Sequence, residues 1–251
     1  MGYFSSFDGV KLFYEDQGTG PATVLLHGFA ADTAANWDRP GVVAALLTAG
    51  RRVITLDARG HGQSEKPHDP AAYEDDAMVK DASALLDHLA IEQADVVGYS
   101  MGAATTARLV QTEKRVRRAV LGGAGAAMAS RTTEQMAEIA DALEADDPDA
   151  VAVSPRARGF RQFADSTGAD RKALAAIQRA RRRWEETFAG LDKVTIPVLV
   201  ISGDDDVLVG SPHELAGRFA HGRAAVVKGD HLSAVGDPAF GRGVIAFLDE
   251  A

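Results

Sequence analysis

The chain has 251 residues, of which 46% are hydrophobic and 25% are charged, a composition typical of a folded globular protein rather than a disordered or fibrous one. The formal net charge is −9, so the surface should repel a phosphate backbone and we expect no nucleic-acid partner. The chain contains no cysteine, which excludes disulfides, thiolate metal sites and a thiol nucleophile.

The sequence shows no segment typical of membrane insertion or export. No apolar run approaches the ~20 residues that a bilayer-spanning helix needs. The first residues, Met1 to Ser6, lack the basic segment and apolar core of a signal peptide. These patterns predict a cytoplasmic protein without a membrane partner.

Two strand-like runs near the beginning of the chain predict an antiparallel edge. They cover residues 2–7 and 11–14 and flank Asp8-Gly9, a dipeptide typical of a tight hairpin turn.

Later runs rich in β-branched residues predict a mostly parallel sheet. They are near-continuous rather than alternating, as expected of strands buried on both faces. Helical patterns lie between them, the clearest of which covers 78–89. Strand and helix alternate, which predicts an α/β fold with right-handed crossovers and helices on both faces. The strand-like runs are 23–26, 53–56, 95–99, 118–121, 198–201 and 224–227.

One long interval separates two of these runs. No strand-like pattern occurs between Leu121 and Val198, so we expect a single domain, 1–251, with a helical lid inserted at approximately 128–192. Helical patterns within the interval cover 133–143 and 171–184, and Pro148 and Pro155 are read as breakers.

A glycine-flanked serine follows the run at 95–99. The segment Gly98-Tyr99-Ser100-Met101-Gly102 leads from a strand into an alanine-rich helical stretch. This is the context of a nucleophile elbow, in which a serine lies on a sharp turn and the glycines remove Cβ atoms that would clash. A serine that only caps the following helix would give the same local pattern.

The partners that a serine nucleophile needs occur at the ends of other strands. Asp204, Asp205 and Asp206 follow one run and His231 follows the last, where open α/β sheets carry their chemistry. The order serine, aspartate, histidine is that of one particular fold. His27-Gly28-Phe29 ends the first parallel run, so the amides of Phe29 and Met101 are predicted oxyanion donors.

At these residues the sequence resembles the α/β-hydrolase superfamily, and it is most similar to small esterases, cofactor-free haloperoxidases and carbon–carbon bond hydrolases. The loop 57–64 and the segment 196–203 also resemble that family. The resemblance implies an α/β-hydrolase fold with Asp206 as the catalytic acid. The glycine-rich stretch 122–127 departs from the family pattern, which leaves the pocket lining there open.

The remaining histidines indicate no metal site. His27 is expected to fix the loop that it precedes, and His61 lies in a turn. No pair shows the spacing of a zinc motif, so we predict no metal. Gly123 and Gly125 lack the third small residue of a dinucleotide fingerprint, and no cofactor is expected. The other histidines, expected at the surface, are His68, His88, His213 and His221.

The lid carries acidic residues followed by basic ones. The simpler interpretation is two solvated or mutually paired helical faces; the alternative is an arginine cluster that binds an anionic substrate group. Trp184 and Phe188 are expected to anchor the lid to the core. The acidic residues are Glu134, Glu138, Asp141, Glu144, Asp146, Asp147 and Asp149, and the basic ones are Arg156, Arg158, Arg161, Arg171, Lys172, Arg179, Arg181, Arg182 and Arg183.

Together these features predict a serine hydrolase acting on a small-molecule ester or acyl substrate. Ser100 would attack the carbonyl, His231 would accept the proton and Asp206 would orient His231. The alternatives are a carbon–carbon bond or lactone hydrolase with the same residues, and a signalling receptor of the same fold. The sequence predicts neither the natural substrate and its stereochemistry nor the oligomeric state.

Overall fold

A computed structural model describes residues 1–147, 154–180 and 187–250. Within these ranges the chain forms an eight-stranded sheet in the order β1-β2-β4-β3-β5-β6-β7-β8. The strands are β1 (Gly2–Ser5), β2 (Lys11–Gln17), β3 (Ala22–Leu26), β4 (Arg52–Leu56), β5 (Ala94–Tyr99), β6 (Val116–Gly122), β7 (Val198–Gly203) and β8 (Gly222–Val227).

The sheet is antiparallel at one edge and parallel elsewhere. Gly2 pairs with Tyr14 and Ser5 with Lys11 across the β1–β2 hairpin, and Gly9 takes a left-handed φ of +88° in its turn. Strand β2 is also antiparallel to β4, whereas β4, β3, β5, β6, β7 and β8 are mutually parallel. The predicted α/β-hydrolase fold and its mostly parallel sheet are confirmed.

Helices cover both faces of the sheet. On one face Trp37 and Phe240 are fully buried with the apolar residues of β3 and β7. On the other face Leu85 and Leu109 pack against β5 and β6. In the described residues the helices are α1 (Val42–Thr48), α2 (Ala77–His88), α3 (Met101–Thr112), α4 (Thr133–Glu144), α5 (Pro155–Thr167), α6 (Arg171–Arg179), α7 (Pro212–Ala216) and α8 (Pro238–Leu248). None of them is long and apolar enough to cross a membrane.

Strand β8 differs from the expectation that all these runs are buried on both faces. It lies at the end of the sheet order, and Val226 is 50% exposed. An edge strand lacks a neighbour on one side, so its apolar residues are covered less completely than those of a central strand.

The helices α4, α5 and α6 lie between β6 and β7 in the chain, and one of them corrects a sequence interpretation. Pro155 begins α5 rather than breaking a helix, because proline is tolerated at the first helical position. The hydroxyl of Ser154 caps this helix by accepting a hydrogen bond from the Ala157 amide at 3.3 Å. Pro148 and residues 181–184 lie outside the described residues.

Candidate active site

The turn between β5 and α3 holds Ser100 in a strained conformation. Its φ is +52° and its ψ is −104°, a region that residues with a Cβ rarely adopt. A Cβ on Gly98 would lie 2.1 Å from the carbonyl oxygen of Gly102, and one on Gly102 would lie 1.9 Å from that of Leu26. Glycine is therefore required at both positions, and the turn projects Ser100 from the end of the strand.

The hydroxyl of Ser100 does not cap the helix that it precedes. Its side chain makes no capping hydrogen bond to α3. Instead, Oγ lies 2.8 Å from Nε2 of His231, and both residues are buried. The structure therefore favours the nucleophile-elbow interpretation over the capping one.

His231 is also bonded through its other ring nitrogen. Nδ1 lies 2.7 Å from Oδ2 of Asp206, whose side chain is 0% exposed. A carboxylate can only accept, so Nδ1 carries the hydrogen and Nε2 is left with a lone pair for the Ser100 hydroxyl. Asp206 is itself fixed, because its Oδ1 accepts the Leu208 amide at 3.1 Å.

The two aspartates before Asp206 have different surroundings. Asp204 and Asp205 are both exposed. The carboxylate of Asp204 accepts hydrogen bonds from Lys228 at 2.5 Å and from the Gly229 amide at 3.0 Å. Among the three adjacent aspartates, Asp206 is the one that contacts His231.

The loop after β3 lies beside the serine. The amides of Phe29 and Met101 make no hydrogen bond with any described residue, so both are available as donors. The loop is held by Asn36, whose Oδ1 accepts the Gly28 amide at 2.8 Å. Sequence reasoning missed Asn36, because a polar residue in an irregular loop belongs to no periodic pattern.

His27 and His61 hold this loop and the loop after β4 together. His27 donates from Nδ1 to the Gly28 carbonyl at 2.8 Å and accepts the Ala58 amide at Nε2 at 3.0 Å. His61 accepts the Ala30 amide at 3.1 Å. Both rings are thereby occupied with backbone groups, away from Ser100. The remaining histidines, His68, His88, His213 and His221, are exposed.

Tyr99, the residue before the serine, forms a hydrogen bond with the backbone of His231. Its hydroxyl donates to the His231 carbonyl at 2.9 Å. Burial, together with the nearby carboxylate of Asp206, raises the pKa of Tyr99, so the hydroxyl stays protonated as a donor. The glycine-rich stretch after β6 makes room for this ring, since a Cβ on Gly122 would lie 2.8 Å from it.

A cleft of about 250 Å³ opens onto Ser100 and His231. Helix α5 covers part of it: the ring of Phe160 on α5 lies 5.7 Å from that of Phe29, and Thr167 donates to the Ala30 carbonyl at 2.8 Å. The volume is enough for a small organic molecule with its reactive carbon at Ser100.

Most of the described lid arginines form ion pairs or bond to backbone. Arg179 pairs with Glu144 at 2.5 Å, and Arg161 pairs with Asp165 at 2.8 Å. Arg156 instead lines a narrow pocket beside Ser100. Phe188 is buried, as expected of an anchor, whereas Asp149, Arg181, Arg182, Arg183 and Trp184 lie outside the described residues.

In the described ranges, no three histidine, aspartate or glutamate side chains come together in a way that could hold a metal ion. Gly125, part of the suspected dinucleotide fingerprint, packs against backbone, since a Cβ there would lie 2.4 Å from the Gly210 carbonyl oxygen.

Curated relatives of this chain are named haloperoxidases and hydrolases. A non-heme haloperoxidase of Rhodococcus erythropolis is 27% identical over 238 residues, with 83% of each chain covered. A 2-hydroxymuconate semialdehyde hydrolase of Pseudomonas sp. is 40% identical over 116 residues, 46% of this chain and 40% of that protein. The chain spans less than half the length of this second relative, and likewise of a putative non-heme chloroperoxidase of Synechocystis sp. and an epoxide hydrolase of Caballeronia sordidicola.

Solved structures match over nearly the whole chain. A hydrolase from Pseudomonas aeruginosa has a TM-score of 0.78 and 27% identity, covering 99% of this chain and 98% of that one. An enol-lactonase from Burkholderia xenovorans has a TM-score of 0.77 and 25% identity, covering 99% and 100%. The family model of the alpha/beta hydrolase fold matches residues 21–164. The chain belongs to the α/β-hydrolase fold family.

Proposed function

We propose that this protein is a serine hydrolase that cleaves a carboxylic ester through an acyl-enzyme intermediate. The observation that carries the proposal is the continuous hydrogen-bonded series from Ser100 Oγ through His231 to the buried carboxylate of Asp206. The series lies at the floor of a cleft that could admit a small substrate.

The proposed reaction begins with proton transfer from Ser100. As Oγ attacks the ester carbonyl carbon, Nε2 of His231 takes the hydroxyl proton, and Asp206 stabilises the imidazolium that forms. The carbonyl oxygen becomes an oxyanion that the amides of Phe29 and Met101 would bind. Electrostatic stabilisation of this kind is worth about 3–4 kcal/mol for each donor.

His231 then returns the proton to the departing alcohol oxygen, which breaks the ester bond and leaves the acyl group on Ser100. A water molecule, deprotonated by His231, attacks the acyl-enzyme in the same geometry and releases the acid. Every proton transfer in the proposed reaction passes through Nε2 of His231. The leaving group must therefore lie on the side of the serine that faces this nitrogen.

A lactone or carbon–carbon bond hydrolase with the same residues is the second candidate. It is favoured by two of the relatives, which are named an enol-lactonase and a semialdehyde hydrolase. A lactone and an open-chain ester of the same hydroxy acid separate the two, because a lactonase should show the higher kcat/KM on the ring.

The proposal is tested with p-nitrophenyl esters of graded chain length. Wild type should turn over continuously, and Ser100→Ala should lower kcat by a factor on the order of 10⁶, the scale for loss of a serine nucleophile. A single stoichiometric burst would favour a signalling receptor instead. Equal activity in wild type and Ser100→Ala would exclude the proposed nucleophile.

A further inference from the structure

Two spaces of different size meet at Ser100. The cleft of about 250 Å³ is shared by Ser100, Phe29 and Phe160 with His231. A narrow pocket of about 20 Å³ is lined by Ser100, Phe29 and Phe160 on its other side, together with Met101. His231 lines the cleft and is not part of the narrow pocket.

This difference separates the two halves of an ester. The leaving alcohol must receive its proton from His231, so it belongs in the cleft that His231 lines. The acyl chain then extends the other way, past Met101 and into the narrow pocket. A volume of about 20 Å³ admits only a small group, so the chain that enters the pocket must be short.

The polar residues of the narrow pocket are cationic or neutral. Arg131, Arg156 and Gln178 line it together with Met136 and Ile139, and none of the described lining residues is acidic. An apolar acyl chain would gain nothing from a guanidinium group, whereas an anionic end would form charge-assisted hydrogen bonds with it.

The guanidinium of Arg156 has no hydrogen-bond partner among the described residues. It also makes no ion pair within residues 1–147, 154–180 and 187–250, and its Nε is buried. Burial lowers the pKa of Arg156, and no carboxylate in the described part of the chain opposes the effect. A buried donor without a partner is destabilising, and more so when it is charged. Arg161, on the same helix, does have such partners, because its guanidinium donates to Asp165 and to the carbonyls of Ala142 and Ala145.

We propose that the narrow pocket binds a carboxylate at the far end of the acyl chain, held by Arg156, so that the preferred substrates are monoesters of short dicarboxylic acids. This inference rests on the proposed function and specifies its substrate class. The guanidinium of Arg156 forms charge-assisted hydrogen bonds with the carboxylate, and the cleft accepts a larger alcohol.

The first experiment compares monobenzyl succinate with benzyl succinamate, in which a neutral amide replaces the carboxylate. Wild type should prefer the succinate by about tenfold or more in kcat/KM, the range expected for hydrogen bonds between charged groups. Monobenzyl adipate should be poorer than the succinate, because its longer chain exceeds the pocket. Equal kcat/KM for succinate and succinamate would overturn the proposal without any variant.

Three variants locate the effect. Arg156→Gln should reduce the succinate preference to near one, whereas Arg158→Gln, on the same helix but outside the pocket, should keep it. Arg156→Lys should keep part of the preference, because it retains the charge without the planar fork. An unchanged preference in Arg156→Gln would contradict the assignment.

A binding measurement separates this proposal from the proposed function. Calorimetry with the Ser100→Ala protein should show that monobenzyl succinate binds at least tenfold more tightly than benzyl succinamate. Adding Arg156→Gln to this protein should remove the difference. If no ester is hydrolysed but succinate binds through Arg156, the hydrolase proposal fails and the carboxylate site stands. If esters are hydrolysed but succinate and succinamate bind alike, the carboxylate site fails and the hydrolase proposal stands.

Discussion

The two ends of the parallel strands each bury a carboxylate, but they give it different partners. At the amino ends, Asp95 forms ion pairs with Arg51 and Arg117, and its side chain is 0% exposed. At the carboxyl ends, the equally buried side chain of Asp206 contacts His231.

The partners decide what each carboxylate can do. A guanidinium stays charged at every pH at which the protein is folded, so the pairs of Asp95 serve to stabilise the sheet. An imidazole gains and loses a proton near neutrality, so the contact with Asp206 can take part in a reaction. Substitutions at the two ends should therefore change different quantities, one the free energy of unfolding and the other the rate.

The largest effect is expected at Asp206. Asp206→Asn should lower kcat by a factor on the order of 10⁴, because the amide cannot hold His231 in the required tautomer or stabilise the imidazolium. Steady-state kinetics should show little change in KM, and urea denaturation should give a free energy of unfolding close to that of wild type. Asp205→Asn, at the exposed neighbouring position, is the matched control and should retain kcat. A crippled Asp205→Asn beside an active Asp206→Asn would reassign the acid.

The opposite outcome is expected at Asp95. Asp95→Asn leaves Arg51, which is 3% exposed, without its buried counter-charge and should lower the free energy of unfolding by about 3–5 kcal/mol. The kcat of the folded molecules should not change. Asp249→Asn is the control, since Asp249 is 52% exposed in its pair with Arg51 and should contribute under about 1 kcal/mol. A stable Asp95→Asn variant with reduced kcat would erase the distinction between the two ends.

The pH dependence of the rate provides a third test. His231 must be neutral at Nε2 to accept the serine proton, so kcat/KM should fall about tenfold per pH unit once the solution is acidic enough to protonate imidazoles. A pH series with a p-nitrophenyl ester measures it, with folding checked at each pH. A rate that stays flat through the neutral and mildly acidic range would argue against an imidazole base.

The smallest effect is expected at the end of α3. A hydrogen bond from Arg115 lowers the pKa of Glu113 to about 2 from its ordinary 4.5. A lowered folded-state pKa contributes stability that is present above pH 4.5 and is lost as the pH falls towards 2. Glu113→Gln should therefore cost at most about 1 kcal/mol at neutral pH, and its deficit should shrink in denaturation curves recorded between about pH 5 and pH 3. A loss of stability in Glu113→Gln that grows on acidification would contradict the lowered pKa of Glu113.

The elements that follow periodic patterns could be predicted from the sequence. The parallel strands and the apolar stripe of α2 were found because burial imposes a repeat on the residues. The elbow at Ser100 was found because its glycines are required by contacts closer than any Cβ allows. Selecting Asp206 among three aspartates depends on family resemblance, since adjacent carboxylates are chemically alike and differ only in the burial and contacts that the fold gives them.

The features that depend on long-range contacts could not be predicted. The sequence pattern predicts a breaker at Pro155, because proline both ends and begins helices, and only the cap from Ser154 distinguishes the two. Whether an arginine of the lid is paired depends on which helix faces it, so Arg156 looked like Arg161 and Arg179 in the sequence. Asn36 supports the loop beside the serine by a single bond to Gly28, which leaves no sequence pattern.

The nucleophile can be identified directly with a fluorophosphonate and peptide mass spectrometry. Wild type should carry one adduct, located at Ser100 within the tryptic peptide 81–108, because an activated serine hydroxyl attacks phosphorus as it would attack a carbonyl. Ser83→Ala changes the other serine of that peptide and should still be labelled, whereas Ser100→Ala should not. Labelling of Ser100→Ala to the same extent, or an adduct at another residue of wild type, would contradict the proposed function.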